Sequence, residues 1–172
     1  MNLILCGMMG SGKTTVGQAL QALLGWKLCD TDEHIVKIHG KISDIFERYG
    51  ESYFRDLETQ AVRELAQKDR LVISTGGGLV LRQENVELLH TCGKIVFLRA
   101  EIQTLLQRLQ KDKDRPLLQN TELRARVEKL LIERTPIYER IADCIVDVDG
   151  KTPEVIAKEI VEKIKMRVVG TR

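Results

Sequence analysis

The chain has 172 residues, enough for one domain with a sizeable core. Its 43% hydrophobic and 30% charged residues are ordinary for a soluble globular protein, and a net charge of +2 gives no case for nucleic acid or a membrane surface as partner. Cys6, Cys29, Cys92 and Cys144 lie far apart with no C-x-x-C pair, so neither a disulfide framework nor a zinc site is indicated. No apolar run approaches the roughly 18 residues needed to span a bilayer.

The first element is the apolar run 3–6 (Leu3-Ile4-Leu5-Cys6), which reads as a buried parallel strand. It lacks a basic leader region and runs straight into Gly7-Met8-Met9-Gly10-Ser11-Gly12-Lys13-Thr14, so it argues against a signal peptide and for a cytoplasmic protein. That octet fills every fixed position of G-x-x-x-x-G-K-[ST]. Val16, Ala19, Leu20, Leu23 and Leu24 follow at the spacing of a helix face, so the motif stands between strand and helix, the context it needs. Glycines there let successive N–H groups converge on a phosphate, and the helix N-terminus adds partial positive charge. Lys13 reaches the β/γ oxygens and the Thr14 hydroxyl ligates Mg²⁺, so the chain is expected to bind a nucleoside triphosphate.

Further strand-like runs at 27–29, 71–74, 94–98 and 144–148 alternate with helical patterns such as Leu57, Ala61, Leu65 and Ile102, Leu105, Leu106, Leu109. Short buried strands alternating with helices predict an α/β fold, a parallel sheet covered on both faces. Two stretches interrupt the alternation. Residues 32–67 hold about three helical segments and no strand, and 111–120 (KDKDRPLLQN) is a charged loop with a proline. At the carboxyl edge of such a sheet these suit a substrate insertion and a closing lid within a single domain spanning 1–172.

Several residues could carry chemistry. Asp30 and Asp32 end the second strand, and period two in an extended chain sends both carboxylates toward the phosphate loop. One would serve the metal and the other an acceptor hydroxyl; a solvated turn, or a helix cap by Asp32, is the plainer alternative. Gly76-Gly77-Gly78 follows a strand and lets a ligand approach the backbone, with N–H groups pointing inward. Arg55 and Glu58, three apart on a helix, can pair, either to orient the guanidinium or as a surface salt bridge worth under about 1 kcal/mol. Arg115, in the charged loop, could swing onto a triphosphate. Arg134, in Arg134-Thr135-Pro136-Ile137-Tyr138 at the end of a helix, suits an anionic substrate or simply the helix dipole. His34 and His39 fall on the expected solvent side of a helix and, like His90, have no assigned role. Trp26 and Tyr49 read as packing residues.

Taken in order, the phosphate loop, Asp30-Thr31-Asp32, Phe54-Arg55-x-x-Glu58, Gly76-Gly77-Gly78, Arg115-Pro116-Leu117-Leu118 and Arg134-Thr135-Pro136-Ile137-Tyr138 resemble the shikimate kinase family over nearly the whole chain. The resemblance implies a three-layer α/β/α fold like that of nucleoside monophosphate kinases, with five parallel strands in the order 2-3-1-4-5. It implies transfer of the ATP γ-phosphate to the 3-hydroxyl of shikimate, on the route to aromatic amino acids, by a monomer without nucleic acid or membrane partners. Gly10, Ser11, Gly12, Lys13, Thr14 and Thr15 would hold the nucleotide, with Thr14 and Asp30 on Mg²⁺. Asp32 would hold the shikimate hydroxyls and act as base. Arg55, Gly77 and Arg134, with Gly76 and Gly78 beside them, would bind shikimate, both arginines on its carboxylate and Glu58 steadying Arg55. Arg115 would be the lid arginine and Arg108 would lie beside the adenine.

Two other readings fit the sequence less well. A kinase of gluconate or of a nucleoside monophosphate is disfavoured by the paired arginines with three glycines and by the few aromatics in the insertion. A GTPase-like switch would need N-K-x-D, which is absent, and Asp147-Val148-Asp149-Gly150 follows the last strand, far from the expected γ-phosphate.

Overall fold

The computed structural model of the chain describes residues 1–111 and 120–165. Five strands, β1 (Asn2–Cys6), β2 (Lys27–Asp30), β3 (Leu71–Ser74), β4 (Gly93–Arg99) and β5 (Cys144–Asp147), form one parallel sheet in the order β2-β3-β1-β4-β5. All five predicted runs lie on these strands, to within one residue at each end. The expected order is the observed one.

Every residue of β1 is buried, which is why Leu3 to Cys6 form an unbroken apolar run and not an alternating one, while the buried Asn2 amide bonds to the Lys68 and Leu71 backbone. Successive side chains go to opposite faces. Ile4 and Cys6 join Ile73, Ile95 and Phe97 in one core, while Leu3 and Leu5 join Val72, Val96 and Leu98 in the other. The first face is covered by α4 (Gln83–Cys92), α5 (Ile102–Lys111) and α6 (Asn120–Ile141), and the second by α1 (Lys13–Leu24) and α7 (Pro153–Ile164). Cutting a fully buried leucine such as Leu3 to alanine would cost about 2–5 kcal/mol. Local signals delimit the helices. Gly25, in the left-handed region, ends α1 with its N–H returned to the Gln21 carbonyl. Thr152 caps α7 ahead of Pro153.

Between β2 and β3 lie α2 (Thr31–His39) and α3 (Ile42–Ala66), the latter broken at Gly50 (φ 82°, ψ 173°), so three helical segments fill the insertion as expected. A separate small core of Ile35, Ile45, Phe54, Leu57 and Ala61 joins them. Two expectations fail here. His34 is half-buried and not free on a solvent face: its Nε2 meets Glu64 Oε2 at 2.9 Å across the α2–α3 contact. Tyr49 is not a packing residue but 61% exposed, leaning on Tyr53 with ring centroids 4.8 Å apart. His34 lies on the side of α2 that meets α3, and Tyr49 stands at the end of the helical segment that stops at Gly50. Trp26 does pack, against the core under α1 and α7. Among the described residues no helix is long and apolar enough to cross a membrane. Most of the charged loop, 112–119, lies outside the described residues.

Candidate active site

Because the chain reverses its direction of progress across the sheet at β1, the carboxyl ends of β1, β3 and β2 open onto one crevice. The loop after β1 takes left-handed backbone at Gly10 (φ 80°) and Gly12 (φ 92°), conformations that side chains resist. Gly12 starts α1 without a side-chain cap, leaving the first-turn amides of the helix facing the crevice. Lys13 Nζ donates to the carbonyls of Gly7 and Met8, both at 2.9 Å. Burial pulls its pKa down to about 8, against the attraction of Cys6, Asp30 and Asp32. Arg108 Nη1 donates to the Gly10 carbonyl at 3.1 Å, which places this cation against the outer side of the loop.

The two aspartates are brought together by a mechanism different from the one expected. β2 stops at Asp30 and α2 begins at Thr31, so the pair does not lie on extended chain. Asp30 caps α2: its Oδ1 accepts the N–H of Asp32 at 2.9 Å and of Glu33 at 3.1 Å. The cap is thus Asp30 and not Asp32, and it turns Asp32 inward on the first helical turn. Both carboxylates still line the crevice with Lys13 and Thr14. Asp32 Oδ1 is buried with no hydrogen-bond partner. Burial and then the neighbouring Asp30 raise the Asp32 pKa, only partly offset by Lys13 and Arg55.

Each of the three glycines after β3 makes room for a different side chain. A Cβ on Gly76 would stand 2.7 Å from Asp32 Oδ1 and 3.2 Å from Glu58 Oε1, one on Gly77 would stand 2.9 Å from Arg134 Nη1, and one on Gly78 would stand 2.6 Å from Arg55 Nη1. The glycine run therefore accommodates the protein's own acids and cations. The Gly76 N–H is not free to meet a ligand, as the sequence had suggested, because it donates to the Thr31 hydroxyl at 2.9 Å.

Arg55 donates to Glu58 at 2.7 Å and to Glu51 at 3.0 Å. Glu58 is only 1% exposed, so this is a buried orienting pair and not a surface salt bridge. Burial would lower the Arg55 pKa, but the two glutamates raise it on balance; burial raises that of Glu58 despite the arginine. Arg134 does not end a helix: α6 runs on through Pro136 to Ile141, which removes the helix-dipole alternative for this cation.

Sequence reasoning missed four contributors. The Ser74 hydroxyl is buried without a partner at the end of β3, paired in register with Asp30. Thr31 anchors Gly76. Tyr138 donates to the Gly77 carbonyl at 2.7 Å, and Pro153 lines the crevice, as does Arg108. Of these, only Thr31 and Tyr138 sat inside motifs already singled out; Ser74 carried no signal beyond its place at a strand end. The crevice holds about 660 Å³, a size suited to a nucleotide with a small acceptor. Arg115 lies outside the described residues.

Comparison with known proteins places the chain among its relatives. The shikimate kinase family model matches residues 9–165. The shikimate kinase of Thermodesulfovibrio yellowstonii is 44% identical over 163 residues, covering 94% of each chain, and that of Chromobacterium violaceum is 43% identical over 164 residues, covering 95% of this chain and 89% of the relative. Among solved structures, the shikimate kinase of Acinetobacter baumannii in complex with shikimate superposes with a TM-score of 0.87 at 38% identity, over 95% of this chain and 92% of that one. The Aquifex aeolicus shikimate kinase gives 0.83, also at 38%, over 96% of both. The chain belongs to the shikimate kinase family.

Proposed function

We propose that this crevice takes ATP on the glycine loop and transfers its γ-phosphoryl group to the 3-hydroxyl of shikimate, giving shikimate 3-phosphate and ADP on the route to chorismate and the aromatic amino acids. The observation that carries the reading is the unpartnered Oδ1 of Asp32, set between a phosphate-binding loop and two guanidinium groups seated on Gly77 and Gly78.

Shikimate is a polyhydroxy carboxylate. Its carboxylate meets the planar forks of Arg55 and Arg134, with Glu58 holding the first in orientation. This places the ring hydroxyls at Asp32, a carboxylate whose raised pKa makes it a better proton acceptor than an exposed aspartate. Asp32 takes the hydroxyl proton as the new O–P bond forms and the bond to the β–γ bridging oxygen breaks, the electron pair leaving with ADP. Lys13 and the α1 amides face the charge that develops on the phosphoryl oxygens. The nucleoside extends past Thr15 toward Arg108 and Pro153. The insertion of α2 and α3 supplies the acceptor-binding groups, and the 111–120 loop with Arg115 is read from the family resemblance as the lid.

The residues present fit Mg²⁺. Among the described residues no cluster of three or more His, Cys, Asp or Glu could cage a metal, but magnesium arriving on phosphates needs only one or two protein oxygens and keeps several waters. Thr14 would ligate it directly, and Asp30 with the unpartnered Ser74 hydroxyl would hold its waters. The ion would supply neutralisation of the β and γ oxygens. The proposed site needs no second chain, and four cysteines outside any disulfide suit a reducing cytoplasm; we read the working unit as a cytoplasmic monomer.

A coupled assay for ADP release tests the reading, run with shikimate, gluconate and nucleoside monophosphates. Turnover with shikimate alone is expected. Turnover with a monophosphate and not with shikimate would overturn it.

A further inference from the structure

We infer that Tyr138 is a positioning residue for the acceptor-binding half of the site, holding Gly77 and Arg134 in one fixed arrangement through its phenolic hydroxyl. The inference rests on the reading above, in which Arg134 grips the acceptor carboxylate.

Tyr138 is fully buried, and its ring packs on Phe97 with centroids 5.0 Å apart. That packing accounts for the ring but leaves the hydroxyl unexplained, since phenylalanine would fill the space equally well. The hydroxyl donates to the Gly77 carbonyl at 2.7 Å. Its oxygen also interacts with the Arg134 guanidinium, which stands one helical turn earlier on the same face of α6. Both groups converge on Gly77: a Cβ there would be 2.9 Å from Arg134 Nη1 and 3.8 Å from the phenolic oxygen. One hydroxyl therefore ties a helix to the middle residue of the glycine run. The first glycine of that run is fixed from the other side by Thr31, between the two aspartates.

The consequence concerns the acceptor. Arginine is a long flexible side chain, and a fork that must meet a carboxylate with two bonds binds best when its orientation is set beforehand. Arg55 is oriented by Glu51 and Glu58. For Arg134 no acidic partner is recorded among the described residues, and the phenol occupies the place that the glutamates take for Arg55.

The test is Tyr138→Phe, which keeps the ring and its packing. The expected result is a rise of roughly tenfold in the KM for shikimate, the loss typical of one hydrogen bond to a charged group. The KM for ATP should be unchanged, and so should the far-ultraviolet circular dichroism. In an Arg134→Ala background the same change should have little further effect on the shikimate KM, because the tyrosine acts through the arginine. An unchanged shikimate KM in Tyr138→Phe, an equal rise in both KM values, or a full-sized effect without Arg134 would each overturn the inference. Arg134→Ala alone leaving the shikimate KM unchanged would instead overturn the carboxylate assignment, and the inference with it. If Tyr138→Phe cannot be purified folded, Gly77→Ala, which keeps the phenol and presses on Arg134, should raise the shikimate KM selectively; no change there would count against the coupling.

Discussion

Gly78 lies so close beneath Arg55 that a Cβ built on it would stand 2.6 Å from Nη1 and 2.8 Å from Cζ of the guanidinium. Its backbone (φ −97°, ψ −9°) is open to any residue, so the requirement for glycine is one of space alone.

Gly78→Ala should therefore fold normally and spoil the site selectively. The arginine must move aside, breaking its alignment with Glu58, and the KM for shikimate should rise about tenfold or more while that for ATP holds. Steady-state kinetics with each substrate varied in turn decide it. A variant with wild-type shikimate KM would show that the guanidinium has no fixed part in acceptor binding.

Lys13 makes nucleotide binding depend on pH. Its amine, ordinarily at 10.5, is brought down to about 8 by burial. Between those values the unfolded chain holds a proton that the folded one releases, so the nucleotide-free protein gains stability as pH rises through that window. A triphosphate beside the amine reverses the effect by favouring the ammonium form. ATP binding near pH 8.5 should therefore take up about three-quarters of a proton, read by titration calorimetry in buffers of different ionisation enthalpy, and affinity should fall above pH 8. Lys13→Arg should abolish the uptake. Uptake unaltered by that change would assign the proton to another group.

Much of this was readable in the sequence because the physics involved is local. Leu3 to Cys6 must be a buried strand, and the octet from Gly7 has few other uses between a strand and a helix. What escaped was whatever depended on contacts between distant segments. Asp30 and Asp32 were expected together on an extended chain, yet it is the Asp30 cap, drawing the Asp32 and Glu33 amides onto one oxygen, that starts a helix between them. The glycine run signalled close approach without saying of what. Ser74 and Tyr138 gain their roles only from partners about 40 to 60 residues away, Asp30 and Gly77.

Ser74→Ala separates a metal role from a packing role. A buried hydroxyl without a partner costs stability, so replacing it with a methyl group should leave the melting temperature unchanged or slightly higher. If it holds a water of Mg²⁺, the magnesium concentration for half-maximal rate should rise roughly tenfold at saturating ATP and shikimate. Titration of activity against free magnesium checks this. An unchanged magnesium requirement would remove Ser74 from the metal site.

Asp32 should show function opposing stability. Burial and the adjacent Asp30 raise its pKa in the folded protein above the ordinary 3.8. The folded state thus binds the proton more tightly than the unfolded chain, so this group's contribution to stability is present at low pH and lost as pH rises through its folded pKa. Asp32→Asn, which has no proton to lose, should melt at a higher temperature than wild type at pH 7, with the difference shrinking toward pH 4. The same substitution should lower kcat by at least about 10², because the base is gone. Melting curves at both pH values, beside kcat at pH 7, test the two halves together. An asparagine variant that is less stable at pH 7 would mean that Lys13 and Arg55 stabilise the carboxylate more than burial penalises it, and that the site is not strained in favour of its reaction.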